Sequence, residues 1–285
     1  MQRIKNFFLG LNLKTTIFVV TTVLFLVLFS SASILVLIKG FPEFAVSEES
    51  VPDCNVAVIK LQGNLSTYKN GTSEEWTDET VADNVYYSIE DAGADPAIQA
   101  VVLQVDSGGG RTVAGEEISS VLKRISKPTV ALIIGQGASA AYWAATGAQR
   151  IFASKYSDVG GIGISQSFVD NAAKNIREGL NYNQLSSAKY KDTFSGERFV
   201  TQEERDMVLG NLKELHKELV GDIANNRKLK YEDVAKISDG SSFFAKKALG
   251  LGLIDAIGGM YEVEQYLAET LGLKKEEIIT CMYGF

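Results

Sequence analysis

Three short apolar runs rich in β-branched residues, two of them running into a glycine loop and then a helical stretch, constrain this chain most. Asn55–Leu61 (NVAVIKL) alternates around Val and Ile and reads as a first strand. Ala100–Val105 (AVVLQV) reads as a buried strand that runs into Asp106-Ser107-Gly108-Gly109-Gly110, after which Ala114–Ile125 has helical periodicity. Thr129–Ile134 (TVALII) repeats the pattern, ends at Gly135-Gln136-Gly137-Ala138-Ser139, and is followed by the small-residue helix candidate Ala140–Thr146. Thr77–Ala92 also has helical character, and Thr201–Asn226 predicts an amphipathic helix opened by a capping box, Thr201 with Glu204. Strands alternating with helices predict an α/β domain around a largely parallel sheet.

An apolar run precedes this domain. Thr15–Ile38 is 24 residues without a charge, and about 20 apolar residues suffice to cross a bilayer core. It is longer than the roughly 7–15 residues of a secretory apolar region, which favours a retained anchor over a cleaved leader. Arg3, Lys5 and Lys14 precede the run, whereas Glu43, Glu48 and Glu49 follow it with Lys39 as the nearby cation. The positive-inside bias then keeps residues 1–14 in the cytoplasm, spans the cell membrane once with residues 15–38, and sends the rest outside. Residues 39–54 read as a linker and 55–285 as the globular domain.

The net charge of −7 comes without a basic cluster in the second half, which argues against nucleic acid as a partner. Two cysteines, Cys54 and Cys281, form neither a metal-ligand spacing nor a disulfide-dense framework. Their positions before the first strand and in the β-like tail Glu277–Tyr283 leave three alternatives open. They are unlinked, bridged within the chain, or bridged between subunits.

Sites in parallel sheets lie at the carboxyl ends of strands, where both glycine loops fall. A serine at a strand-to-helix turn sits where free backbone N–H groups favour negative charge, as acyl transfer requires for its oxyanion. Glycines in the neighbouring loop let backbone amides approach the same point. The base is harder to find. The single histidine, His216, lies in KELHKEL amid helix charges and away from the glycine turns, so it reads as a solvated or partly packed helix residue. G-x-S-x-G is absent around Ser139. A lysine serves if burial lowers its pKa from about 10.4 toward 7–8, but residue types alone do not pick one. Gly160-Gly161-Ile162-Gly163 lacks the full dinucleotide fingerprint and its acidic partner.

With these features in place, the sequence resembles the signal peptide peptidase A family of serine peptidases. VDSGGGR resembles its Asn/Asp-Ser-Pro-Gly-Gly loop, and GASAAYWAATGAQRIFAS (Gly137–Ser154) its nucleophile segment. VGGIGI (Val159–Ile164) is similar to T-G-S-I-G-V, and AKYKDTFSGERFVTQEE (Ala188–Glu204) to its lysine segment. DGSSFFAKKALGLGLIDAIGG (Asp239–Gly259) is similar to its closing motif. The resemblance implies Ser139 as nucleophile and Lys191 as general base, with Lys189 a weaker rival. It also implies an oxyanion hole of backbone N–H groups of Gly109 and Ala140. The implied fold is the Clp protease and crotonase spiral of ββα units, in ring-like homo-oligomers whose Ser and Lys come, in some members, from neighbouring subunits. Implied substrates are hydrophobic membrane-associated peptides such as signal peptide remnants, with no metal and no cofactor.

Three departures stand out. The loop proline is Gly108, the Gly-Gly after the nucleophile is Ala140-Ala141, and the serine that orients the lysine is Gly161, which leaves that role to water, Ser157 or Ser165. The departures motivate an alternative, a catalytically silent relative that binds peptides or scaffolds a membrane complex. A crotonase-type enzyme acting on a thioester is a third reading, disfavoured by the anchor and the exposed location.

Overall fold

The computed structural model describes residues 17–18, 21–22, 24–25, 54–68 and 79–284. Among them, no helix is long and apolar enough to cross a membrane. The expected span at 15–38 lies mostly outside the described residues, as do the expected cytoplasmic segment 1–14 and the linker up to residue 53. The chain divides into two units, Met1–Pro52 and Asp53–Phe285, and the second holds the sheet.

The first strand, β1 (Val56–Ser66), is longer than the alternation predicts, and a short β2 (Glu79–Val81) precedes helix α1 (Ala82–Ala94). Then come β3 (Ala100–Gly110), α2 (Thr112–Arg124), β4 (Thr129–Ala138), α3 (Ala140–Ala145), β5 (Arg150–Ala153) and β6 (Asp158–Gly160). The second half runs α4 (Ala172–Arg177), α5 (Gln202–Arg227), α6 (Tyr231–Ala235), β7 (Ser242–Phe244), α7 (Ala245–Gly250), β8 (Ala256–Ile257), α8 (Met260–Leu271) and β9 (Thr280–Met282).

The sheet order is β2-β1-β3-β4-β5-β8, and every pairing is parallel except that between β6 and β7. The α/β class with a parallel sheet is thus as the alternation predicts. Period-2 alternation sends side chains to opposite faces, and both faces are covered. Ala57, Ile59, Leu61, Val101 and Leu103 pack with α1, α2 and α3, while Val56, Val58, Val102, Leu132 and Phe152 pack with Val263 and Leu267 of α8. Burial on both sides explains the near-continuous apolar runs.

Two strands share an edge with two partners each. Along β1, Val56–Val58 pair with β9 and Asn64–Ser66 with β2. Along β4, Val130–Ile133 pair with β5 and Gln136–Ala138 with β6. The β9 pairing brings Cys54 and Cys281 to a Cα–Cα distance of 5.8 Å, and they are joined as a disulfide within the chain. Of the three alternatives for the cysteines, the structure has the intrachain bridge.

Candidate active site at the end of β4

The third strand does not stop where its β-branched residues stop. The glycines of Ser107–Gly110 continue the β1 ladder, with Asn64 opposite Gly109 and Leu65 opposite Gly110. Register shifts occur on both sides of β3, between Gln62 and Asn64 on β1 and between Val105 and Ser107 on β3 itself. The loop is therefore a bulged strand end, and Gly110 is required there. At φ +154, a Cβ on it would lie 2.2 Å from Leu65 O.

Ser139 is the single residue between β4 and α3, with φ 54 and ψ −127. Only two non-glycine described residues have positive φ, and the other, Lys228, is an ordinary left-handed helix end. A non-glycine residue in so sparsely populated a conformation costs about 1–3 kcal/mol and persists when its surroundings over-determine it. They do. Ser139 donates its N–H to Gly160 O at 2.8 Å and accepts from Trp143 N at 3.0 Å. All six residues of α3 are buried. Gly115 of α2 lets Ala140 come close, since a Cβ there would lie 2.5 Å from Ala140 O.

Gly109 packs directly against the serine. At φ +103, its absent Cβ would fall 2.8 Å from Ser139 Cβ and 3.0 Å from Ala140 N. The Gly109 N–H donates to Ser107 Oγ at 3.1 Å, and the Ser107 hydroxyl donates to Gly63 O at 2.6 Å. Ala140 opens α3, so its N–H has no acceptor inside the helix. The structure thus brings Ser139, Gly109 and Ala140 together.

Ser139 opens into a cavity of about 500 Å³. Its walls are Gly161, Gly163, Ile164 and Ser165 just after β6, the α5 residues Leu209, Leu212, Lys213 and His216, and the turn Ser238–Gly240. Here the expectation for His216 needs correction. It is partly packed, as read, but it lines the same cavity as Ser139. The physical reason is that α5 is anchored in the core only through Leu219, Val220, Ile223 and Ala224 at its far end, so the preceding turns overhang the β4 carboxyl end. The stripe 209, 212, 213, 216 was visible as i, i+3, i+4, i+7 spacing. What it faces was not.

Lys191 is not among the residues lining that cavity. It is exposed on a turn of the irregular segment 178–200, and its ammonium has no hydrogen bond or ion pair among the described residues. The turn itself is firmly held. Glu204, 4% exposed, accepts from Arg198 Nη2 at 2.6 Å, from Arg198 Nη1 at 2.8 Å and from Thr201 N at 2.9 Å. Arg198 also pairs with Asp192, next to Lys191, at 3.6 Å, and Tyr182 donates to the same carboxylate at 2.9 Å. The Arg198 hydrogen bonds, then the Thr201 N–H, hold the Glu204 carboxyl well below the usual carboxylate range. The capping box read from Thr201 and Glu204 is present, and it anchors the lysine turn as well as the helix.

The structure separates the two lysines. Lys189 is ion-paired with Glu203, which also accepts from Tyr190 O–H at 2.9 Å. The hydrogen bond to Glu203 raises the Lys189 pKa, the wrong direction for a base. Among the serines suggested to orient the lysine, Ser157 is buried and donates its hydroxyl to Ile133 O at 2.8 Å. Ser165 lines the Ser139 cavity. At Gly161, φ is +57, and a Cβ would lie 3.1 Å from Ala138 Cβ and 3.3 Å from Ser139 N. A serine would be crowded and strained there in this chain.

The model of peptidase family S49 matches residues 121–274, a stretch that holds Ser139, Gly161 and Lys191. The chain belongs to peptidase family S49. It is also similar to a candidate protease of Methanocaldococcus jannaschii, 28% identical over 193 residues, covering 67% of this chain and 62% of that one. Protease 4 of Salmonella typhi is 30% identical over 225 residues, covering 77% of this chain and 35% of its own. The chloroplastic serine protease SPPA of Arabidopsis thaliana is 24% identical over 208 residues, 72% of this chain and 31% of its own. The chain spans less than two thirds of the length of these relatives.

Proposed function

We propose that this S49 chain is a serine endopeptidase in which Ser139 is the nucleophile and Lys191 the general base. The observation that carries the reading is the backbone of Ser139, φ 54 and ψ −127, held against Gly109 at the mouth of a cavity. Strain of this kind clusters at functional sites. The Lys191 amine takes the Ser139 Oγ proton as Oγ bonds to the scissile carbonyl carbon, and the carbonyl π electrons move to oxygen. The Ala140 N–H and the glycine loop stabilise that oxyanion; Gly109 serves once its N–H turns from Ser107 Oγ toward the substrate. The tetrahedral intermediate collapses, its C–N bond breaks, and the lysine ammonium returns the proton to the leaving amine. Water attacks the acyl-enzyme by the same route, with Lys191 again as base.

Lys191 on an exposed turn, away from the cavity wall, supports pairing between subunits of a homo-oligomer. So do exposed apolar side chains nearby: Leu185 of the same segment is 97% exposed, and Val169, just before α4, 90%. Exposed apolar side chains concentrated near one segment suit an interface between subunits. The parallel sheet fits a Clp protease and crotonase spiral. The uncharged run 15–38 supports a single-pass anchor, with the domain outside the cytoplasm and hydrophobic membrane-associated peptides, such as signal peptide remnants, as substrates. A catalytically silent relative is the competing reading, motivated by Gly161. A fluorophosphonate probe separates the two. It should label the wild-type chain at Ser139 and leave Ser139→Ala unlabelled; a wild-type oligomer that takes no label would favour the silent relative.

A further inference from the structure

Ser107 is buried, and it ties β3 to both of its neighbours. It is the last residue of β3 to pair with β4, opposite Gly137. Its hydroxyl crosses the other way, donating to Gly63 O of β1 at 2.6 Å, while its Oγ accepts the Gly109 N–H at 3.1 Å. Gly63, with φ 67, lies where β1 slips register, and Ser107 lies where β3 does. The hydroxyl therefore bridges the two slips. Three glycines follow it, the residues with the most backbone freedom to lose on folding, so a side-chain tie is needed to hold them. In a parallel ladder successive N–H groups point to alternate neighbours. Arg111 N–H points to β1, donating to Leu65 O at 2.8 Å, and the Gly109 N–H lies on that side too, taken by Ser107. The Gly110 N–H between them points away from β1, to the side where β4 has ended its pairing and Ser139 leads into α3. Gly109 reaches an oxyanion only by leaving Ser107, whereas Gly110 needs no turn.

From this we infer that Ser107 is a positioning residue for the oxyanion hole. By holding the Gly109 amide toward β1, it fixes the Gly110 amide toward Ser139, so that the loop donates in place. The inference deepens the peptidase reading and rests on it. It gives Ser107 no contact with substrate and no part in bond breaking.

The experiment compares Ser107→Ala with Thr129→Val, each as the full chain in its native oligomer. Thr129 is a matched buried hydroxyl at the amino end of β4, away from Ser139, where its Oγ1 accepts the Gln149 N–H at 2.9 Å. Both variants should lower the melting temperature to a similar degree. Turnover of an apolar fluorogenic peptide should separate them. In Ser107→Ala, kcat should fall by about tenfold to a hundredfold with KM little changed, whereas Thr129→Val should keep the wild-type kcat. A peptide aldehyde supplies a second reading. Ser139 Oγ bonds to its carbonyl carbon and the carbonyl π electrons move to oxygen, so the adduct uses the oxyanion donors and an uncleaved peptide does not. Aldehyde affinity should fall with kcat in Ser107→Ala, while peptide binding, measured in the Ser139→Ala background, should be unchanged. Wild-type kcat and aldehyde affinity in Ser107→Ala overturn the positioning role alone. So does a faster Ser107→Ala, the result of a freed Gly109 amide, or an equal fall in Thr129→Val. If Ser107→Ala does not assemble, Ser107→Cys, whose thiol is a weak hydrogen-bond partner, carries the test by the same outcomes. A wild type that neither turns over peptide nor takes the aldehyde overturns the peptidase reading, and this inference with it.

Discussion

The Ser139 end of β4 and the Lys191 turn are built by opposite means. Around Ser139 the backbone is fixed by packing, with no side-chain ion pair among the described residues. Buried α3, the close approaches at Gly109, Gly110 and Gly115, and a strand pairing on either side leave the serine one conformation. Around Lys191 there is almost no regular structure, and position is set by charges: Glu204 and Asp192 around Arg198, with Glu203 on Lys189. Apolar packing tolerates no added atom but is indifferent to pH. A charge network tolerates reshaping but depends on protonation. A site assembled from both kinds should therefore fail in two distinguishable ways.

The packed half should break hardest. Gly110→Ala places a Cβ 2.2 Å from Leu65 O, backbone that has no room to move. A loss of about 4 kcal/mol or more is expected, with a melting temperature lower by about 10 °C. Circular dichroism melts check it, and a melt within 2 °C of wild type, taken as about the repeatability of one, would mean that the glycine loop is looser than described. The Cys54–Cys281 bridge ties β9 to the amino end of β1, the opposite end of that strand from the glycine loop. Its removal by Cys54→Ser with Cys281→Ser should cost about 3 kcal/mol and leave the lysine turn intact. Two alkylated cysteines in native protein, after blocking of free thiols, would show the bridge to be absent.

The charged half should break more gently and with pH. Glu204→Gln, which keeps one acceptor oxygen but loses the charge, should cost about 2 kcal/mol and make segment 178–200 cleavable by added protease while the sheet keeps its far-UV signal. The sign of the acid effect follows from the depressed Glu204 carboxyl. Its contribution is complete above the unfolded carboxylate value of about 4.3 and is lost as pH falls below that. Opening of the segment near pH ~3, ahead of global unfolding, is the expected result. Simultaneous loss of both would show that the turn and the sheet form one cooperative unit. Smallest of all, Lys189→Ala removes an exposed ion pair and should leave the melting temperature unchanged.

What the sequence alone made readable follows the same division. The strands β1, β3 and β4, helix α2 and the α5 capping box carry their own local signals, period-2 runs and a Thr-x-x-Glu box. The placement of Ser139 at a strand-to-helix turn was readable because β4 and α3 adjoin it. The extension of β3 through three glycines was not, because it depends on the register of β1 opposite. Likewise His216 looks like any helix residue among charges, and only the Ser238–Gly240 turn, more than twenty residues further on, closes the cavity around it. Nor could spacing rank Lys189 against Lys191; the partner that distinguishes them, Glu203, lies on another element.

The dyad itself is tested most directly by turnover of an apolar fluorogenic peptide by Ser139→Ala, Lys191→Ala and Lys189→Ala, compared in oligomers of wild-type size. The expected result is loss of activity by about a thousandfold or more in each of the first two, since members of a catalytic unit fail together, and a near wild-type rate in the third. A Lys191→Ala oligomer that turns over peptide at the wild-type rate would contradict the account.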